Sequence, residues 1–472
     1  MNPNVLASRY ASAEMKRLWS PEHKVVLERR LWITVLEAQR ELGVEVPAGV
    51  IEDYERVIDH VDLASIEARE RVTKHDVKAR IEEFAALAGH EHIHKGMTSR
   101  DATENTEQLQ IREALELLRD RTVALLVRLS WHAIEYADVV MAGRSHNVAA
   151  QATTLGKRFA TAAEEQLLAL ERLEELLRRL PLRGMKGPVG TSQDQLDLLG
   201  GDAAKLDRLE ERVATALGFD RRLTSVGQVY PRSLDLDAVA ALVQLAAGPS
   251  SLATTIRLMV GQELATEGFT AGQVGSSAMP HKMNTRSSER INGFMNILRG
   301  HLTMAAGIAG DQWNEGDVSE SVVRRVVLPD ACLACEGVLL TTIAVLDGFG
   351  AYPAVIEREL HRYLPFLATT KFLVAAVKAG MGREAAHEVI KEHAVAVALA
   401  QREKGAEGND LVERLGRDDR FPLSEAELHA LLTDPKDFVG DARRQIDQVV
   451  RQIGDVVARH PEAAAYTPEP IL

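Results

Sequence analysis

Leu115, Leu118, Ala124, Leu125, Val127, Leu129 and Ile134 recur at mixed three- and four-residue spacings, with Glu116, Arg119, Asp120 and Arg121 between them. That spacing lines apolar side chains along one stripe of a helix. It predicts an amphipathic helix over 107–140, roughly 30 residues and so about 45 Å long. Segments 155–180, 236–266, 284–309 and 319–346 read the same way. No convincing strand lies between them, so the expectation is an all-α fold with a long central helical bundle. The breaks are short and glycine-bearing, at 143–145, 183–192, 225–232 and 268–282. Loops held by rigid elements are where chemistry tends to sit. Helical runs are shorter before about residue 100. They shorten again after about Tyr352, where Pro353, Pro365, Pro422 and Pro435 interrupt. The expected division is an N-terminal helical domain (1–105), the central bundle (106–352) and a C-terminal helical domain (353–472).

Composition mainly excludes. A chain of 472 residues, 46% apolar and 26% charged, is neither largely disordered nor collagen-like. Aromatics at 4% suit aliphatic helix seams better than sheets. The net charge is −13 and no basic run stands out, so no nucleic-acid partner is expected. The longest strongly apolar stretches, such as 338–346, fall short of a membrane span, so no membrane partner is expected either. The N-terminus shows no apolar core before a small-residue cleavage site, and two cysteines cannot form a disulfide framework. The expected compartment is the cytoplasm. An anionic ligand would require Arg and Lys to gather locally against this acidic background.

Three segments carry candidate chemistry. Cys332 and Cys335 form a CxxC inside a predicted helix with no second pair to complete a metal site, which reads as buried and structural. His90-Glu91-His92-Ile93-His94 formally matches the HExxH zinc pattern, but Gly89 and Gly96 bracket it and no third ligand stands out, so no metal is expected. The segment 268–290 places Ser276, Ser277, Lys282 and Asn284 beside a helix start. A helix N-terminus favours anions, and a flexible loop with hydroxyls can close over a ligand.

The run Gly275-Ser276-Ser277-Ala278-Met279-Pro280-His281-Lys282-Met283-Asn284, with Glu289 following, resembles the GSSxMPxKxN…E signature of the fumarase/aspartase superfamily. Further blocks resemble the adenylosuccinate lyases within it. They are Arg9-Tyr10, Lys74-His75-Asp76-Val77, His94-Lys95-Gly96-Met97-Thr98-Ser99, Arg144-Ser145-His146 continuing to Lys157, and Gly227-Gln228-Val229-Tyr230-Pro231-Arg232. The resemblance implies a long central bundle between two smaller helical domains. It implies a homotetramer whose active sites combine loops from different subunits. The implied reaction eliminates fumarate, without cofactor, from succinylamino nucleotides: adenylosuccinate, giving AMP, and succinylaminoimidazole carboxamide ribotide, giving AICAR.

The resemblance also implies roles. Ser276 is the base and His146 the acid. Lys282 stabilises the serine alkoxide, Glu289 orients or charge-stabilises His146, and His75 assists near the phosphate or leaving group. Arg9, Lys282, Arg290 and Arg325 would form the cationic pocket, with Tyr10 near the phosphate. Thr98, Ser99, Gln228 and Asn284 would bond the succinyl carboxylates or the base. Asp76 would face the nucleotide, Lys74 belongs to the same block, and Ser321 fits the downstream pattern with Arg325.

The chain departs from that pattern at Ser145 (usually Thr), Val148 (usually Gln) and Thr285 (usually Pro). Gly316 stands where a substrate-binding arginine is expected, with Arg324 as the candidate replacement. The alternatives are a sister fumarate-releasing lyase such as an argininosuccinate lyase, a cycloisomerising relative, a zinc hydrolase on His90 and His94, or a non-catalytic helical scaffold.

Overall fold

The computed structural model describes residues 4–268, 279 and 282–469. The elements that position the site are α1 (Val5–Arg9), α2 (Pro21–Glu41), α3 (Asp76–Ala88), α4 (Ser99–Glu135), β1 (Val140–Ser145), β2 (Val148–Thr154), α5 (Leu155–Arg179), α6 (Ser233–Gly261), α7 (Arg286–Ile308), α8 (Ser321–Gly348) and α9 (Ala442–Arg459). The helices α4 to α8 pack into a bundle, and the fold is all-α apart from short strands.

The bundle core is aliphatic. Leu118, Leu125, Leu173, Leu245, Leu298, Val338 and Leu339 are all essentially inaccessible to solvent. Each such side chain contributes about 1.5–3 kcal/mol by leaving water. A second core joins Trp32, Tyr54 and Phe84 to Met185, Leu209 and Phe219, so segment 180–219 packs on the N-terminal helices. A third gathers Phe372, Ile390, Leu411 and Phe421 near the C-terminus. The chain then returns, and Ile446, Val449, Ile453 and Val456 of α9 join the bundle core.

Two bundle helices, α6 and α8, are long and apolar enough to span a membrane by composition, with mean hydropathies of 1.4 and 1.7. The best window of α8 is 83% buried inside the bundle, as befits a core helix. Cys332 and Cys335 lie on its buried face, and burial pushes both thiols up, so they are inert packing groups.

Two elements differ from the sequence expectation. The helix expected from residue 107 begins at Ser99. Its first turns bury Asp101, Glu104, Asn105, Thr106 and Gln108, a polar face that an apolar-periodicity argument cannot see. The Asp101 carboxylate accepts the Thr98 N–H at 2.8 Å and so closes the helix start. The break expected at 143–145 belongs to an antiparallel hairpin pairing Val140 with Thr154 and Ser145 with Val148. Its residues are mostly small, without the bulky alternation that marks a strand. His146 and Asn147 form the turn, both left-handed with φ of 51° and 60°, as a two-residue hairpin turn of this hand requires. Gly143 is needed beside the register shift, because a Cβ there would lie 2.7 Å from the Gln151 carbonyl oxygen.

Candidate active site

The N-termini of α4 and α8 meet at a groove that also receives the start of α3. Its cavity of about 150 Å³ is lined by His75, Asp76, Ser99, Arg100, Ser321 and Arg325, with Lys24, Thr103, Glu107 and Arg324 behind them. That is below the usual size of a small-molecule site, and suits one charged group of a larger ligand. Helix N-termini present unpaired N–H groups and a positive dipole end, which favour an anion.

The groove stands on a buried ionic network. Arg232 donates to both Glu104 oxygens at 2.8 and 2.9 Å and to Glu320 at 2.8 Å. Arg324 donates to Asp235 at 2.7 Å, to Glu107 and to the Tyr230 hydroxyl. Lys24 reaches Glu107 at 3.2 Å. Burial works against the Glu107 charge, yet Arg324 and Lys24 hold its carboxyl well below the usual carboxylate range. Arg324 is only 4% exposed and fully engaged. The sequence-level suggestion that it replaces the arginine missing at Gly316 is therefore corrected: its guanidinium is a buried pin. Gly316 itself has φ of 116°, and a Cβ there would meet Val229 Cγ2 at 2.9 Å, so an arginine would be strained in this loop.

The rim is wetter. His75 caps α3, its Nδ1 accepting the Lys78 N–H at 3.2 Å, which leaves Nε2 to carry the ring proton. Lys74, just before it, is left-handed with φ of 54°. Asp76 accepts from Arg80 at 3.1 Å; burial is the largest influence and opposes its charge, but Arg80, the Val77 N–H and His75 together lower its pKa. Arg325 is exposed and makes no ion pair among the described residues.

Five sequence-predicted residues, His75, Asp76, Ser99, Ser321 and Arg325, thus share one groove. Thr98 precedes Ser99 at the start of α4. A second group lies elsewhere. The Tyr10 ring meets Phe294 edge-on at 5.1 Å, with the Arg290 and Arg9 guanidinium carbons 5.3 and 5.9 Å from its centre. Glu289 is exposed in the first turn of α7, as is Lys282 ahead of it, and Asn284 is half-buried between them. His146 is exposed at the hairpin tip. Gln228 donates its backbone N–H to the Glu315 carbonyl at 2.6 Å. Among the described residues, no hydrogen bond or ion pair joins His146 or the Tyr10 group to the groove. Ser276 lies outside the described residues.

Sequence reasoning missed Lys24 and Arg100 at the groove and the buried Arg183, which binds Asp101 at 2.6 Å. The available signal was Arg100 itself, a cation directly after Ser99 at a helix start. The zinc reading of the histidine run does not fit its geometry. His90 Nε2 pairs with Asp53 at 2.7 Å, while His94 Nδ1 accepts the Trp32 indole N–H at 3.1 Å. Burial pushes His94 down to about 4, so its ring stays neutral as a packed acceptor.

Comparison with known proteins bears on this geometry. Residues 15–300 match the family model described as lyase, and residues 365–449 match the one described as adenylosuccinate lyase C-terminus. The chain is 36% identical to an adenylosuccinate lyase of Saccharomyces cerevisiae over 456 residues, covering 95% of this chain and 93% of that protein. It is 35% identical to that of Schizosaccharomyces pombe, covering 95% and 93%. It is 31% identical to that of Methanothermobacter thermautotrophicus, covering 94% and 97%. Among solved structures, a 3-carboxy-cis,cis-muconate lactonizing enzyme from Pseudomonas putida superposes with a TM-score of 0.81 at 20% identity, covering 96% and 99%. A fumarate lyase from Mesorhizobium sp. BNC1 gives 0.79 at 20% identity, covering 96% and 99%. At that identity these two speak to the fold alone.

Proposed function

The chain belongs to the adenylosuccinate lyases, within the fumarase/aspartase superfamily, and from that premise we propose how its own residues divide the elimination. The observation that carries the reading is the groove at the two helix N-termini, with Ser99, Ser321, His75 and Arg325, which makes no ion pair among the described residues. It suits one oxyanion of a succinylamino nucleotide, the phosphate or a succinyl carboxylate. Ser276, as alkoxide, takes the proton from the succinyl carbon next to the carboxylate. The electron pair left behind becomes the new C=C bond of fumarate, the C–N bond breaks, and His146 protonates the departing nitrogen. Lys282 and the start of α7 stabilise the alkoxide and the developing carboxylate charge, and Glu289 supports the imidazolium. Arg9, Tyr10 and Arg290 form a cationic, aromatic patch for a second part of the substrate, with Lys74, Asp76, Thr98, Gln228 and Asn284 as polar contacts. The reaction needs no cofactor, and succinylaminoimidazole carboxamide ribotide is the proposed second substrate.

Dispersal of these groups supports a homotetramer with shared sites. So does exposed apolar surface on the bundle: Leu258 at 46%, Ile297 at 39%, Val322 at 70% and Val326 at 43%. A fully active monomer by light scattering would refute it. The proposed compartment is the cytoplasm, in keeping with two unpaired thiols. The proposed division keeps the order expected as 1–105, 106–352 and 353–472, with the first boundary drawn back to the start of α4 at Ser99 and α9 returning to the bundle core, which limited proteolysis can test.

The test is turnover of adenylosuccinate, followed by loss of its ultraviolet absorbance and by AMP and fumarate formed. Wild type should turn over with chelator present. Arg325→Ala should raise KM about tenfold or more, the loss of one charge-assisted contact. An unchanged KM in that variant would remove the groove from substrate binding.

A further inference from the structure

Arg100 sits at the second position of α4, a 37-residue helix, directly on the groove. A cation in the first turn of a helix opposes the macrodipole and costs stability. Its ion pair does not account for it. One arm reaches Glu104 Oε1 at 3.2 Å. Glu104 is already satisfied, with two bonds from Arg232 at 2.8 and 2.9 Å and the Tyr230 N–H at 3.1 Å. The other arm lies 3.4 Å from Ser321 Oγ, which turns it across the groove toward the start of α8. One turn further along α4, Thr103 lines the same cavity. It is 9% exposed, and its buried hydroxyl has no hydrogen-bond partner among the described residues. A buried hydroxyl without a partner costs about 1–3 kcal/mol. A ligand oxygen in the groove would relieve both strains at once.

We propose that Arg100 and Thr103 are substrate contacts, donating to one oxyanion held between the N-termini of α4 and α8. This rests on the proposed groove reading. It also gives this chain an arginine at the anion although position 316 is a glycine whose backbone would strain an arginine. The oxyanion is the nucleotide phosphate or a succinyl carboxylate.

Steady-state kinetics on Arg100→Met, Arg100→Lys, Thr103→Val and the Arg325→Ala control decide it, with inorganic phosphate and fumarate as competing probes. Arg100→Met should raise the KM for adenylosuccinate about tenfold or more, the loss from one charged hydrogen bond, and Arg100→Lys should recover part. Thr103→Val should raise KM several-fold with thermal stability unchanged or improved, which a purely structural hydroxyl would not do. If Arg100→Met weakens inhibition by phosphate alone, the oxyanion is the phosphate; if by fumarate alone, a carboxylate. KM and both inhibition constants within twofold of wild type in Arg100→Met overturn the proposal, whatever its melting temperature. If Arg325→Ala is equally silent, the groove reading itself has failed; if only Arg325→Ala responds, the groove stands and Arg100 does not belong to it.

Discussion

Arg324→Met separates a buried pin from an anion ligand. The guanidinium is 4% exposed and donates to Asp235 at 2.7 Å, to Glu107 and to the Tyr230 hydroxyl. Methionine keeps most of the stem but leaves two carboxylates short of a cation. Among the described residues, Asp235 retains the Tyr230 hydroxyl at 2.7 Å, and Glu107 retains Lys24 at 3.2 Å. Removing one partner of a buried pair costs about 3–5 kcal/mol, because the remaining charge stays desolvated. That partial compensation places the loss at the lower end, about 3 kcal/mol. Urea denaturation at fixed protein concentration, followed by far-ultraviolet circular dichroism, measures it as a shift in midpoint at constant slope. Arg324→Met combined with Asp235→Asn and Glu107→Gln should recover part of the loss, since the uncompensated charges are then gone. A stability within about 0.5 kcal/mol of wild type, the range of ordinary surface substitutions, would refute the buried network as the groove's foundation.

Other outcomes are equally concrete. His94 binds a proton near pH 6.5 when unfolded but only near 4 in the fold. Its contribution to stability is therefore present above about pH 6.5 and lost as pH falls toward 4, by up to about 3 kcal/mol; the wild-type minus His94→Gln stability profile should show that slope, and a flat difference would contradict it. Gly227→Ala should destabilise by about 1–3 kcal/mol, as overpacking does, since a Cβ there would overlap the Glu315 carbonyl oxygen; an unchanged melting curve would disprove the close approach. Ser276→Ala and His146→Ala should each lower kcat at least about a hundredfold, and near-wild-type turnover in either would reject its role.

Long-helix periodicity was readable because burial in the bundle is apolar: α5 and α8 begin and end within two residues of their predicted bounds. The start of α4 was not, because Asp101, Glu104, Asn105 and Gln108 are buried by pairing with Arg183, Arg232 and loop backbone rather than by hydrophobicity. The hairpin was hidden for a different reason: its pairing is made by the backbone of small residues. For the groove, motif order named His75, Ser99, Ser321 and Arg325, which the fold gathers. Arg100 and Lys24 carry no motif and become visible only when three helix starts converge. That Arg324 points inward while Arg325 faces solvent depends on helix phase, which a one-residue difference in sequence cannot settle without knowing which face is buried.

The hairpin turn has an implication for protein engineering. A two-residue turn of this hand is best served by Asn-Gly, whereas the chain holds His146 and Asn147 in left-handed conformations, which Asn tolerates but His adopts at a cost of about 1–2 kcal/mol. The cheapest stabilising change in this region therefore replaces the very imidazole proposed to donate the proton. A library selected on heat resistance alone would drift toward a sturdier, silent protein. Selection on turnover would keep the weaker tip, so the two screens should diverge first at residue 146.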